Sequence, residues 1–134
     1  MTDVMRAAIS QSVPCEPPAQ FDPTGLRGKQ ILYVDDDPLL LCAMSRLFRR
    51  AGAGCLLAGT HAEAVAVAAV TPSLTLAILD FHMPDGYVGD LVRWLRDGSP
   101  ALRLIGTSGE DRRTDFARHG VTEFLEKPWQ PVDL

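Results

Sequence analysis

Short apolar runs and helical apolar stripes alternate along this chain, and each run ends in a polar cluster. Gln30 to Val34 is apolar and partly β-branched, the pattern of a strand, and it runs straight into Asp35-Asp36-Asp37-Pro38. Asp37 has the form of a helix N-cap, with Pro38 at the first helical position, where its missing N–H costs nothing. Leu40, Met44, Leu47 and Ala51 then recur at helical spacing, widened by Leu41 and Phe48, up to a stop at Gly52. Cys55 to Ala58 reads as a short, weak strand. Thr60-His61-Ala62-Glu63 has the form of a capping box that opens an Ala-rich helix, with His61 solvated in its first turn, and Thr71-Pro72-Ser73 closes that helix.

Leu76-Ala77-Ile78-Leu79 is apolar throughout, as parallel strands buried on both faces are, and Asp80 stands at its end. Asp85-Gly86-Tyr87 is a turn. Val88, Leu91, Val92 and Leu95 mark a third helix, with Trp94 packing beside the stripe, and Asp97-Gly98-Ser99-Pro100 ends it. Leu102 to Gly106 is a fourth strand, ending in Thr107-Ser108-Gly109. Glu110 to His119 is expected to be a polar helix with Phe116 and Ala117 inward, closed by Gly120. Val121 to Leu125 is a fifth strand, ending in Glu126-Lys127-Pro128.

Strands alternating with helices predict an α/β fold, a doubly wound parallel sheet with right-handed crossovers. Strand ends of one polarity then gather on one edge, where open sheets of this kind bind ligands. The acids after the first strand, Asp80 after the third, Thr107 after the fourth and Lys127 after the fifth would converge there. For Asp80 alone, a turn-initiating role explains the residue equally well.

Composition narrows the field. The 134 residues, 46% hydrophobic and 22% charged, suit one domain. A net charge of −4 and a pI of about 5.2 provide no basic footprint for nucleic acid; Arg49-Arg50 and Arg112-Arg113 are short pairs that a solvated helix face explains. No apolar run approaches the roughly 20 residues needed to cross a bilayer, and the start lacks the features of a secretory signal, so no membrane association and a cytoplasmic location are expected. The three cysteines, Cys15, Cys42 and Cys55, show neither disulfide nor zinc spacing. Cys42 and Cys55 read as small core residues. Residues 1–28 form an extension: Val4, Met5, Ala8 and Ile9 lie at helical spacing, and a Pro- and Gly-rich tether runs from Ser12 to Gly28. The folded domain is expected to span 29–134, starting near Lys29.

Asp35, Asp36 and Asp80 together would crowd three carboxylates, a repulsion relieved by protons or by a hard divalent cation such as Mg²⁺ or Mn²⁺. Lys127 and the Thr107 hydroxyl add a cation and a neutral donor, a set suited to phosphoryl chemistry, with one carboxylate as a nucleophile that forms an acyl phosphate.

Leu32-Tyr33-Val34-Asp35-Asp36-Asp37-Pro38, Leu79-Asp80-Phe81-His82-Met83-Pro84, Gly106-Thr107-Ser108 and Glu126-Lys127-Pro128 together resemble the four signature stretches of bacterial two-component response-regulator receiver domains. That resemblance runs in order from Lys29 to the C-terminus. It implies the flavodoxin-like strand order 2-1-3-4-5 and a phosphoryl group accepted on Asp80 from a histidine kinase or histidine phosphotransfer protein. The domain would assist its own phosphorylation and dephosphorylation and would not be an enzyme. It further implies Mg²⁺ held by Asp35, Asp36, Asp80 and the backbone carbonyl of His82, with Thr107 and Lys127 on the phosphoryl group and Phe124 at an aromatic switch position. The His82 side chain either overhangs the site or lies in solvent. Such domains carry a fifth helix after Lys-Pro, for which little sequence remains here. Either the sequence belongs to a longer protein, or the open face is covered by the Val4-to-Ile9 stripe or by a second copy in a homodimer. Two rival readings are a haloacid-dehalogenase-like phosphatase with Asp35 as nucleophile, and a receiver-like binding module that is never phosphorylated.

Overall fold

In the computed structural model, which describes residues 25–134, the Asp37 side chain caps the first helix. Its Oδ1 accepts from the Leu39 and Leu40 amides at 3.0 and 3.3 Å, which turns β1 (Gln30–Val34) into α1 (Pro38–Arg50). Gly52, at φ +87°, lets the chain leave α1 in the left-handed conformation and enter β2 (Gly54–Ala58). Thr60 Oγ1 accepts from the Glu63 amide at 3.0 Å to open α2 (His61–Ala69), while the Glu63 carboxylate reaches back to the Gly59 amide at 2.7 Å. β3 (Leu76–Asp80), α3 (Val88–Gly98), β4 (Arg103–Ser108), α4 (Arg113–Ala117) and β5 (Glu123–Glu126) complete the alternation.

The five strands form one parallel sheet in the order β2-β1-β3-β4-β5, as expected, so β1 and β3 are central. Side chains alternate between its faces. Leu32, Val34, Ala77, Leu79 and Leu104 face α2 and α3 and pack with Ala64, Leu91, Val92, Leu95 and Phe116. Ile31, Tyr33, Leu76, Ile78 and Ile105 face α1 and pack with Met44, Phe48, Leu26 and Trp129. Leu26 is 1% exposed, so packing against this second core begins ahead of Lys29. After β5, the cis Lys127–Pro128 bond leads to Trp129 and a 3₁₀ turn at Pro131–Asp133 against α1. Among the described residues there are four α-helices, and this turn follows where a fifth would stand. The Val4-to-Ile9 stripe and Cys15 lie outside the described residues.

Several local expectations are corrected. The helix expected over Glu110 to His119 shrinks to Arg113–Ala117, because side chains ahead of it capture the amides: Ser108 Oγ accepts from Glu110 N and Asp111 Oδ1 from Arg113 N. β4 continues past Gly106 through Thr107 and Ser108, held by pairing with Asp80 on one side and with Leu125 and Glu126 on the other. β5 starts at Glu123, while Val121 is a buried plug ahead of it. Cys42 is exposed on α1, whereas Cys55 is buried and its thiol is pushed up to about 11 by that burial. His61 is buried, not solvated, at 8% exposure. The Asp85 carboxylate reaches over from the loop after β3 to accept from the His61 and Ala62 amides at 2.8 and 3.1 Å, which closes that loop over the imidazole. Burial lowers the His61 pKa below the usual histidine value, against the opposing charges of Asp85 and Asp90.

Candidate functional site

β1, β3, β4 and β5 end on one edge, and the side chains they carry there meet. One carboxylate oxygen each from Asp35, Asp36 and Asp80 lies within 4.8 Å of the others. Asp35 and Asp80 are buried and Asp36 is exposed, so the cluster opens outward through Asp36. Lys127, at the end of β5, places Nζ 2.7 Å from Asp35 Oδ2 and 3.4 Å from Asp80 Oδ2.

Asp35 is engaged on both oxygens. Oδ2 accepts from the Tyr33 hydroxyl at 2.9 Å as well as from Lys127, and Oδ1 accepts from the Asp37 amide at 3.0 Å. Tyr33 stays a neutral phenol, its pKa raised by burial and by the neighbouring Asp35 charge. Asp80 is 4% exposed, and its pKa is pushed up to about 6, by burial first and then by Asp35. The Lys127 charge and the His82 backbone amide oppose that rise. Burial works against the Lys127 ammonium too, but its bonds to Asp35 and the charges of Asp80 and Asp35 prevail, and its pKa is raised.

The remaining expected residues are placed differently. Thr107 pairs with Asp80 across β3 and β4 and is fully buried, but its hydroxyl donates to the Leu125 carbonyl at 2.7 Å and accepts from Trp129 Nε1 at 2.9 Å. The His82 ring stands edge-on to Phe81 and is largely exposed, with Nε2 3.6 Å from Glu110 Oε1. Phe124 lies on the opposite sheet face, its ring 5.8 Å from Phe116, which is 5.9 Å from Phe81 beside the acceptor candidate. The Arg112 and Arg113 guanidinium groups cover the Phe81 and Phe124 rings.

Two residues of the site are additions to those expected from the sequence: Tyr33 and Trp129. Tyr33 carried a signal, since it lies two positions before Asp35 and so on the same strand face. Trp129 carried none, because its indole reaches Thr107 only through the fold of the chain after Lys127.

A doubly wound parallel sheet with three acids and a lysine converging at its carboxyl edge is an open α/β domain with a candidate ligand site where such sheets carry one. Residues 31–134 match the family described as "Response regulator receiver domain", and the chain belongs to that family of two-component regulatory proteins. It is 30% identical over 112 residues to the transcriptional regulatory protein GltR of Pseudomonas aeruginosa, covering 80% of this chain and 46% of that protein. Against the photosynthetic apparatus regulatory protein RegA of Rhodovulum sulfidophilum it is 29% identical over 107 residues, covering 78% and 58%. The chain thus spans about half the length of these relatives. Its fold also matches a response regulator from Burkholderia pseudomallei, solved with a phosphorylated aspartic acid, calcium ion and citrate, at a TM-score of 0.73, 21% identity and coverage of 78% of this chain and 63% of that one. No helix among the described residues is long and apolar enough to cross a membrane.

Proposed function

We propose that the chain is a phosphorylation-controlled receiver that accepts a phosphoryl group on Asp80. The observation that carries this reading is the Lys127 ammonium set between Asp35 and Asp80, beside the three clustered acids. Three converging oxygen donors, one of them exposed, fit a hard divalent ion. Asp35, Asp36 and Asp80 would hold Mg²⁺ or Mn²⁺, with the His82 carbonyl as a further donor. Such an ion supplies charge neutralisation for the incoming phosphoryl oxygens.

An Asp80 carboxylate oxygen attacks the phosphorus of a phosphohistidine. The P–N bond breaks, its electron pair stays on the imidazole, and an acyl phosphate forms. Lys127 leaves its 3.4 Å contact with the carboxylate to pair with the phosphoryl group. Asp35 is a poor nucleophile because both of its oxygens already accept hydrogen bonds, which favours Asp80 over the phosphatase alternative. Thr107, the cross-strand neighbour of Asp80, and Phe124 carry the resulting change of state, with the Phe81 and Phe116 rings as the packed route from the acceptor to Phe124.

The donor is a histidine kinase or a histidine phosphotransfer protein, and the setting is the cytoplasm. A second copy of the chain docking near α1 and the 3₁₀ turn is the homodimer reading of that face. Incubation with acetyl phosphate and Mg²⁺ should yield a labile adduct that is lost in Asp80→Asn and retained in Asp35→Asn at a reduced rate. Loss in Asp35→Asn alone identifies the phosphatase reading, and no adduct in any chain identifies a binding module without phosphorylation.

A further inference from the structure

The Thr107 hydroxyl has one proton, and it is given to the Leu125 carbonyl. Its oxygen also accepts from Trp129 Nε1 in a buried bond. In this arrangement Thr107 has nothing to donate toward its cross-strand neighbour Asp80. To serve a phosphoryl oxygen there, the hydroxyl must rotate to another staggered position, which takes the acceptor away from the indole N–H. A buried N–H left without a partner is costly, so the indole either resists the rotation or moves with it.

Trp129 is well placed to make that resistance felt. It is 7% exposed, and its ring lies 5.8 Å from Tyr33 and 6.1 Å from Phe48. Tyr33 in turn donates to Asp35, and the turn that follows Trp129 rests on α1. The indole therefore joins the acceptor site to the surface formed by α1 and the C-terminal turn.

We propose that Trp129 is a positioning residue that holds the Thr107 hydroxyl off the acceptor site, so that occupancy of Asp80 and the seating of Trp129 oppose each other. The proposal rests on the reading of Asp80 as phosphoacceptor. Loading Asp80 breaks the Trp129 to Thr107 bond and loosens the contact between the C-terminal turn and α1. This route leaves the acceptor on the α1 face of the sheet, independently of Phe124 on the other.

The chain has two tryptophans, so Trp94→Phe makes Trp129 the sole indole. Beryllofluoride with Mg²⁺ serves as the phosphoryl stand-in. Trp129 emission in the full chain is expected to shift as beryllofluoride saturates, because the indole N–H changes partner. Trp129→Phe keeps the aromatic packing without the N–H and is expected to bind beryllofluoride roughly 5- to 10-fold more tightly than the parent. With Thr107→Val already present, the same substitution should change affinity little, an outcome that a merely structural tryptophan would not produce. Emission that stays fixed at saturation, or an affinity in Trp129→Phe no higher than the parent's, overturns the proposal while leaving the phosphoacceptor reading intact. If neither chain binds beryllofluoride, the phosphoacceptor reading falls and this proposal falls with it.

Discussion

Asp35 and Asp80 are both buried carboxylates, and they meet the cost of burial in different ways. Asp35 is surrounded by donors from Tyr33, Asp37 and Lys127. Asp80 has one cation at 3.4 Å and the His82 amide, too little to cancel its burial and the Asp35 charge, so it holds a proton up to about pH 6. The folded chain thus binds this proton more tightly than the unfolded chain, whose Asp80 titrates near the ordinary 3.8. The stability this provides is complete below that value and is lost as pH rises through about 6. In metal-free buffer Asp80→Asn should therefore be more stable than the parent at pH 7 by about 1–3 kcal/mol, a gain that vanishes near pH 4. Denaturant midpoints measured across that pH range check it. Asp35, Asp80 and Lys127 were legible in the sequence because each stands at the end of a strand or directly after it, and strand ends of one polarity must converge. The state of the Thr107 hydroxyl was not legible, since it depends on an indole brought in from beyond β5.

Elements that carry their own start signals formed where the sequence puts them. Asp37 and Thr60 cap α1 and α2 through bonds to amides two or three residues on, a signal wholly contained in the local sequence. Asp37→Ala should cost about 1 kcal/mol, read as a lower denaturant midpoint at unchanged slope. α4 is the opposite case. Arg112 stands at its N-cap with no side-chain acceptor for the helix amides, and Ser108 and Asp111 take the Glu110 and Arg113 amides, so only the turns around Phe116 remain helical. What fixes α4 is tertiary contact: the Phe116 ring lies where a Cβ of Gly106 would fall, 2.5 Å away. Gly106→Ala should push that ring out and lower stability by about 1–3 kcal/mol, also shifting the near-UV circular dichroism of the aromatic residues.

At the scale of the whole molecule, the sheet divides two cores, and the one facing α1 begins with Leu26. Composition alone placed the start of the fold near Lys29, since Leu26 sits in a Pro- and Gly-rich stretch and only packing reveals that it belongs to the core. Two truncations test this cleanly. A chain starting at Lys29 should be about 1.5–3 kcal/mol less stable than one starting at Gly25, the contribution of a fully buried leucine. Equal midpoints would mean that Leu26 contributes nothing.

Residue parity along the strands has a final consequence. Asp80 and Thr107 share a strand face with Tyr33 and Trp129, while Phe81, one position on, joins Phe116 and Phe124 beneath two arginines on the reverse. Adjacent residues of one strand end thus address two separate surfaces. On the proposed reading of Asp80 as acceptor, a protein bound over α1 and another bound over α4 would each sense its loading without touching, and a substitution that deafens one would leave the other listening.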